Sequence, residues 1–201
     1  MSRPQQTDEL GDRPESWPVV ASEDLYRDDW VVALRKDVIH PPDHPEARFA
    51  RWVLEHPGAV IVLAVDDRDR VLVLDQYRHP AQRRFVELPA GLCDAEQEDP
   101  LATARRELVE EAALRAGSWE HLLTTYSSPG ISSERMEIYL ARDLSPADRG
   151  EFVLEHEEAD MTVSWVPFDE LLEAVLAGRA TDAPLGLAVM SYALRRGRSG
   201  Q

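Results

Sequence analysis

Residues 91–114 read Gly-Leu-Cys-Asp-Ala-Glu-Gln-Glu-Asp-Pro-Leu-Ala-Thr-Ala-Arg-Arg-Glu-Leu-Val-Glu-Glu-Ala-Ala-Leu, a glycine loop set before a helix, and no other block constrains the fold as strongly. Asp99 is a good N-cap and Pro100 suits the first helical position. No further proline or glycine appears until Gly117. At about 100° per residue, Leu101, Ala104, Leu108 and Ala112 make one apolar stripe. Glu107, Glu110 and Glu111 then fall within an arc of about 100° beside that stripe, on the exposed face.

Glu107 and Glu111 are a like-charge i,i+4 pair, which costs an isolated helix a few tenths of a kcal/mol unless a cation sits between them. Their hard oxygens suit Mg²⁺, with Mn²⁺ an acceptable substitute. In an arbitrary Glu-x-x-Glu-Glu a solvated acidic face is the commoner reading, and a chain with 38 acidic residues adds weight to it. The flanking blocks reverse that balance.

The remaining sequence limits the alternatives. A chain of 201 residues fits one domain with a sizeable core. Its one cysteine, Cys93, excludes an internal disulfide framework and fits a reducing compartment. No apolar run reaches the length of a membrane span, and residues 1–15 do not read as a signal peptide, so a cytoplasmic protein is expected. A net charge of −16 disfavours nucleic acid and anionic membranes as partners. Lys36 is the only lysine among the basic residues, a skew that carries no functional reading.

Residues 1–21 are polar and proline-bearing and read as a flexible tail. Strands are expected at 30–39 and 48–55, parted by the turn Pro41-Pro42-Asp43-His44-Pro45. Residues 59–65 and 71–77 are apolar β-rich runs joined by a charged turn, which predicts a hairpin with a buried face. The helix of the opening block is followed by strands near 119–126, 135–141 and 161–166, then helices at 168–177 and 184–195, with 197–201 frayed. Strands, an isolated helix, more strands and then helices repeat no βαβ unit, which argues for α+β.

The order Gly91, Glu98, Arg106, Glu107, Leu108, Glu110, Glu111, Leu114 resembles the Nudix box. Two departures stand out: six residues part Gly91 from Glu98 where the box has five, and Ala113 stands where it has glycine. The extra residue lies in a loop, where insertions are tolerated. Alanine strains a left-handed helix end, so the end is expected to shift toward Gly117. Gln76-Tyr77-Arg78-His79, Glu87-Leu88-Pro89-Ala90-Gly91, Ser128-Pro129-Gly130 with Ser133-Glu134, and His156-Glu157-Glu158-Ala159-Asp160 resemble the ADP-ribose pyrophosphatase branch of that family.

The resemblance implies a Nudix fold, a mixed sheet sandwiched between helices. It also implies a strand region at 22–57 used in homodimerisation and a hydrolase domain at 58–196. The implied reaction is Mg²⁺-dependent hydrolysis of ADP-ribose to AMP and ribose 5-phosphate, with a small-molecule nucleotide sugar as the partner. Alternatives are hydrolysis of another nucleoside diphosphate sugar, or a non-catalytic ADP-ribose sensor. Such sensors usually lose metal glutamates or add a DNA-binding domain, and about 20 residues after Asp182 are too few for one.

By resemblance, Glu107, Glu110, Glu111 and the Ala90 carbonyl hold the metal. Arg106 aims a neighbouring carboxylate, and Glu98 ties the loop to the helix N-terminus. Arg78, Arg51 and Glu134 bind substrate, and Trp30 stacks on the base. A glutamate of the 155–160 loop activates water, Glu157 first and Glu158 second, while His156 is an exposed neighbour.

Overall fold

The computed structural model describes residues 10–27, 33–93, 99–150, 152 and 159–199. In chain order they form β1 (Val19–Arg27), β2 (Ala33–Ile39), β3 (Phe49–Glu55), β4 (Ala59–Ala64), β5 (Arg70–Arg78), β6 (Arg83–Glu87) and β7 (Ala90–Leu92). After these come α1 (Pro100–Ala112), β8 (Leu114–Tyr126), β9 (Arg135–Pro146), β10 (Thr162–Pro167), α2 (Phe168–Leu176) and α3 (Ala183–Ser199). The sheets run β1-β2-β3, β10-β5-β6 and β7-β4-β9-β8. Only the β4–β9 pair is parallel among the described ladders, so the architecture is mixed, as expected for α+β.

β4 carries no polar side chain and is buried along its whole length, so both of its faces need cover. Val60, Val62 and Ala64 cluster with Ala104 and Leu108 of α1. Ile61 and Leu63 cluster with Phe168 and Leu171 of α2 and with Leu185, Ala188, Val189 and Tyr192 of α3. The strand period of two thus divides one run of apolar residues between two helical layers.

The expected hairpin of β4 and β5 does not form. Beyond the bridge Val65–Val71 at the turn, the two strands enter different sheets. Both edges of each are already taken, β4 by β7 and β9 and β5 by β10 and β6, leaving no free edge for the other.

β1 begins inside the segment expected to be a tail. All nine of its residues are exposed, so its sequence shows no alternation, yet it pairs with β2 from Val19–Ile39 to Arg27–Ala33. Pairing rather than burial fixes this strand. At the other terminus α3 continues to Ser199, past the expected fraying point.

α1 ends at Ala112, not nearer Gly117. Ala113 itself takes the left-handed conformation, φ 53° and ψ 40°, and its N–H reaches the carbonyls of Leu108 and Val109. β8 starts at the next residue, and Ala147 N–H donates to the Ala113 carbonyl at 2.8 Å, so the ladder with β9 fixes the strained turn. Left-handed backbone costs a non-glycine residue about 1–2 kcal/mol. Ala113→Gly is therefore expected to raise the melting temperature by about 2–4 °C, less any glycine entropy, in a thermal unfolding scan. No gain would mean that the turn is relaxed.

Candidate active site

The start of α1 forms as its residues dictate: the Asp99 side chain accepts from the Leu101 N–H, and Pro100 opens the helix. The helix lays Glu107, Glu110 and Glu111 along a cavity of about 600 Å³. Glu107 and Glu111 are buried, 8% and 6% exposed, although the helical period put them on an outer face. What covers them is the start of β7.

Gly91 makes that cover possible, because a Cβ there would overlap the Glu107 side chain at Oε1, Cδ and Cγ. Next to it, the Ala90 N–H donates to Glu111 Oε2 at 2.9 Å. Arg106 Nη1 bridges Glu107 Oε1 at 2.8 Å and Glu110 Oε2 at 2.9 Å. At the helix C-terminus Arg149 donates to the Glu111 carbonyl at 2.5 Å, complementing the negative end of the dipole.

The strands supply the rest of the cavity. Arg78, at the end of β5, gives Nε and Nη2 to the Glu87 carboxylate at 3.0 and 2.7 Å, while its Nη1 makes no hydrogen bond among the described residues. That pairing with Glu87 holds the Arg78 guanidinium charged. Glu134 also lines the cavity, and its Oε2 accepts the Ser127 hydroxyl at 2.5 Å. At the N-terminus of α3, burial pushes the Asp182 carboxyl up to about 6, the Leu185 N–H bond opposing and the Glu87 charge reinforcing the rise.

Seven residues singled out in the sequence therefore share one cavity: Arg78, Ala90, Arg106, Glu107, Glu110, Glu111 and Glu134. Arg51 does not join them in this chain. It is exposed on β3, with its guanidinium carbon 4.3 Å from the Phe49 ring centre and Nη1 donating to the Ala50 carbonyl. Trp30, Glu98, His156, Glu157 and Glu158 lie outside the described residues. Sequence reasoning left Glu87, Asp182, Phe85 and Phe152 unassigned, and all four line the cavity. Glu87 sat within a quoted motif and Asp182 just before a helix start. Their shared signal is a polar residue at an element boundary, which only the fold points inward.

Arg78 and Asp182 yield two expectations. Arg78→Ala leaves Glu87, 7% exposed, as an unpaired buried carboxylate, so melting temperature should fall. Adding Glu87→Gln should restore stability but not substrate affinity, which is expected to weaken about 10- to 100-fold in KM. An unchanged KM in either variant would make the pair purely structural.

Asp182 has a folded value of about 6 against an ordinary 3.8, so the native state binds the extra proton between those values. Its stability contribution is fully present below pH 3.8 and is lost as pH rises through about 6. Ionisation at neutral pH then costs up to roughly 3 kcal/mol. Asp182→Asn should match wild type near pH 4 and melt higher at pH 7–8, since asparagine still caps α3. Parallel melting curves across that range would refute the buried-carboxyl reading.

Among the described residues no three acidic, histidine or cysteine side chains already stand as a metal cluster. Arg106 occupies the space between Glu107 and Glu110, and Glu111 turns to the Ala90 N–H. The donor chemistry nonetheless fits a hard divalent cation: two carboxylates one helical turn apart, beside an open cavity.

A family model described as the NUDIX domain matches residues 54–185. An ADP-ribose pyrophosphatase of Mycobacterium tuberculosis (strain ATCC 25618 / H37Rv) is 42% identical over 153 residues, 76% of this chain and 72% of the relative. One of Bacillus subtilis (strain 168) is 33% identical over 171 residues, 85% and 90% of the two chains. A solved structure titled as an ADP compounds hydrolase superposes with a TM-score of 0.73 at 19% identity, over 95% of this chain and 98% of that one, which shows the fold. With the box residues of α1 gathered around one cavity and the family model spanning most of the chain, the protein belongs to the Nudix family and is a Nudix hydrolase.

Proposed function

We propose that the protein hydrolyses the pyrophosphate of ADP-ribose, water adding across the P–O–P bridge to give AMP and ribose 5-phosphate. The observation that carries this reading is the joint lining of one cavity by the acidic face of α1 and by Arg78, a carboxylate metal wall and a free guanidinium edge. Relatives named as ADP-ribose pyrophosphatases support the choice of substrate.

Glu107, Glu110, Glu111 and the Ala90 carbonyl would hold Mg²⁺, with Mn²⁺ able to replace it. When bound, the cation neutralises phosphate charge and makes water more acidic. Arg106, paired with both Glu107 and Glu110, would keep these carboxylates aimed at the site. Arg78 Nη1 donates to a phosphate oxygen, a charge-assisted contact whose direction Glu87 fixes. Glu157, or Glu158 beside it, accepts the proton of the attacking water.

The exposed sheet β1-β2-β3 bears Val19, Leu25, Tyr26 and Trp52 on its surface, which supports a homodimer in which Arg51 and Trp30 meet substrate across the interface. Among the described residues no helix is long and apolar enough to cross a membrane, and a cytoplasmic setting without nucleic-acid or membrane partners suits the net charge of −16. Another nucleoside diphosphate sugar is the second reading, because the α1 residues act on the pyrophosphate common to all of them. The deciding experiment is a panel of nucleotide sugars with Mg²⁺ or Mn²⁺, scored for nucleoside monophosphate release. ADP-ribose should be turned over fastest; a faster competitor would replace it, and binding without turnover would leave only a sensor.

A further inference from the structure

Besides α1 and the Ala90–Gly91 backbone, the cavity is lined by Arg78 of β5, Glu87 of β6 and Asp182 ahead of α3. Arg78 and Glu87 neutralise each other through two of the three guanidinium nitrogens. Asp182 is therefore not required to balance Arg78, and the three side chains together carry a net negative charge when Asp182 is ionised.

Asp182 is only half engaged. Its Oδ2 accepts the Leu185 N–H at 2.9 Å, whereas Oδ1 makes no hydrogen bond among the described residues and is not among the fully enclosed unsatisfied atoms. A carboxylate that lines a substrate cavity with one oxygen committed to the helix cap presents the other oxygen to a ligand as an acceptor. An acidic acceptor repels phosphate and takes hydrogen bonds from hydroxyl groups.

We propose that Asp182 recognises sugar: Oδ1 accepts a hydrogen bond from a hydroxyl of the substrate's ribose where the N-terminus of α3 meets the cavity. The inference rests on the nucleotide-sugar reading above. It adds a specificity-determining residue outside the Nudix box. Sites built to bond a hydroxyl discriminate strongly against ligands that lack one, because the buried acceptor is then left unpaired.

The test compares two ligands in the full-length chain with Mg²⁺: ADP-ribose as substrate, and inorganic pyrophosphate, which has the phosphates but no sugar, as competitive inhibitor. Asp182→Asn should raise KM for ADP-ribose about tenfold, change kcat by less than about threefold, and leave the pyrophosphate inhibition constant within about twofold. Its melting temperature, read in parallel, should not fall. An unchanged KM overturns the assignment, as does an equal loss for both ligands or a fall in melting temperature that accompanies the loss. If wild-type protein releases no AMP from ADP-ribose, the functional reading fails with it. If it does and only the variant behaves as wild type, this inference alone fails.

Discussion

Glu107→Gln and Glu111→Gln should each lower turnover by about two orders of magnitude or more while the protein stays folded. Glutamine keeps the shape of each side chain, so the buried sites at 8% and 6% exposure do not acquire cavities. Removing one of two like charges a turn apart also relieves repulsion when no cation is bound. The two variants should differ in stability. Glu111→Gln can still accept the Ala90 N–H through its amide oxygen, whereas Glu107→Gln gives up its ion pair with Arg106. Melting temperature and single-turnover rates at saturating Mg²⁺ separate the two effects. Near-wild-type turnover in either variant would remove that residue from the metal site.

The second large effect concerns the proton acceptor. Glu157→Gln should depress kcat about 10²- to 10⁴-fold with KM little changed, because a base acts in the transition state while ground-state contacts remain. Glu158→Gln is the control, since it makes the same charge change one residue away. Equal small effects would show a generic acidic loop, and a large effect only at Glu158 would move the role there. The pH profile gives a further readout: the acidic limb of kcat should be lost in the variant that removes the base.

Local chemistry was enough to fix α1. Asp99, Pro100 and the apolar stripe are short-range signals, and the helix starts where they place it. The spacing of Glu107, Glu110 and Glu111 follows from 3.6 residues per turn, so their common face needs no tertiary information. The buried strands were equally visible as runs of β-branched and aliphatic residues, because composition and length suffice to mark a strand that is covered on both sides.

Long-range pairing decided the rest. Adjacent runs 59–65 and 71–77 looked like a hairpin, but hydrogen-bonding edges are claimed by whichever strands arrive, and those strands come from up to 97 residues further along the chain, as in Pro167–Arg70. β1 was invisible because an exposed strand buries nothing and leaves no pattern in its residues. Ala113 shows the same hierarchy. Its own preference opposes a left-handed turn, and the β8–β9 ladder beginning at Leu114 overrides that preference.

The metal-wall residues were thus written in the helical period, but their burial was not: it comes from Gly91, whose missing side chain lets β7 close over Glu107. Glu87 and Asp182 became site residues only when β6 and α3 were folded against the same cavity as α1. Periodicity acts within a few residues and can be read from order alone, whereas a cavity is the meeting of segments far apart in the chain, and its chemistry exists only once they have met.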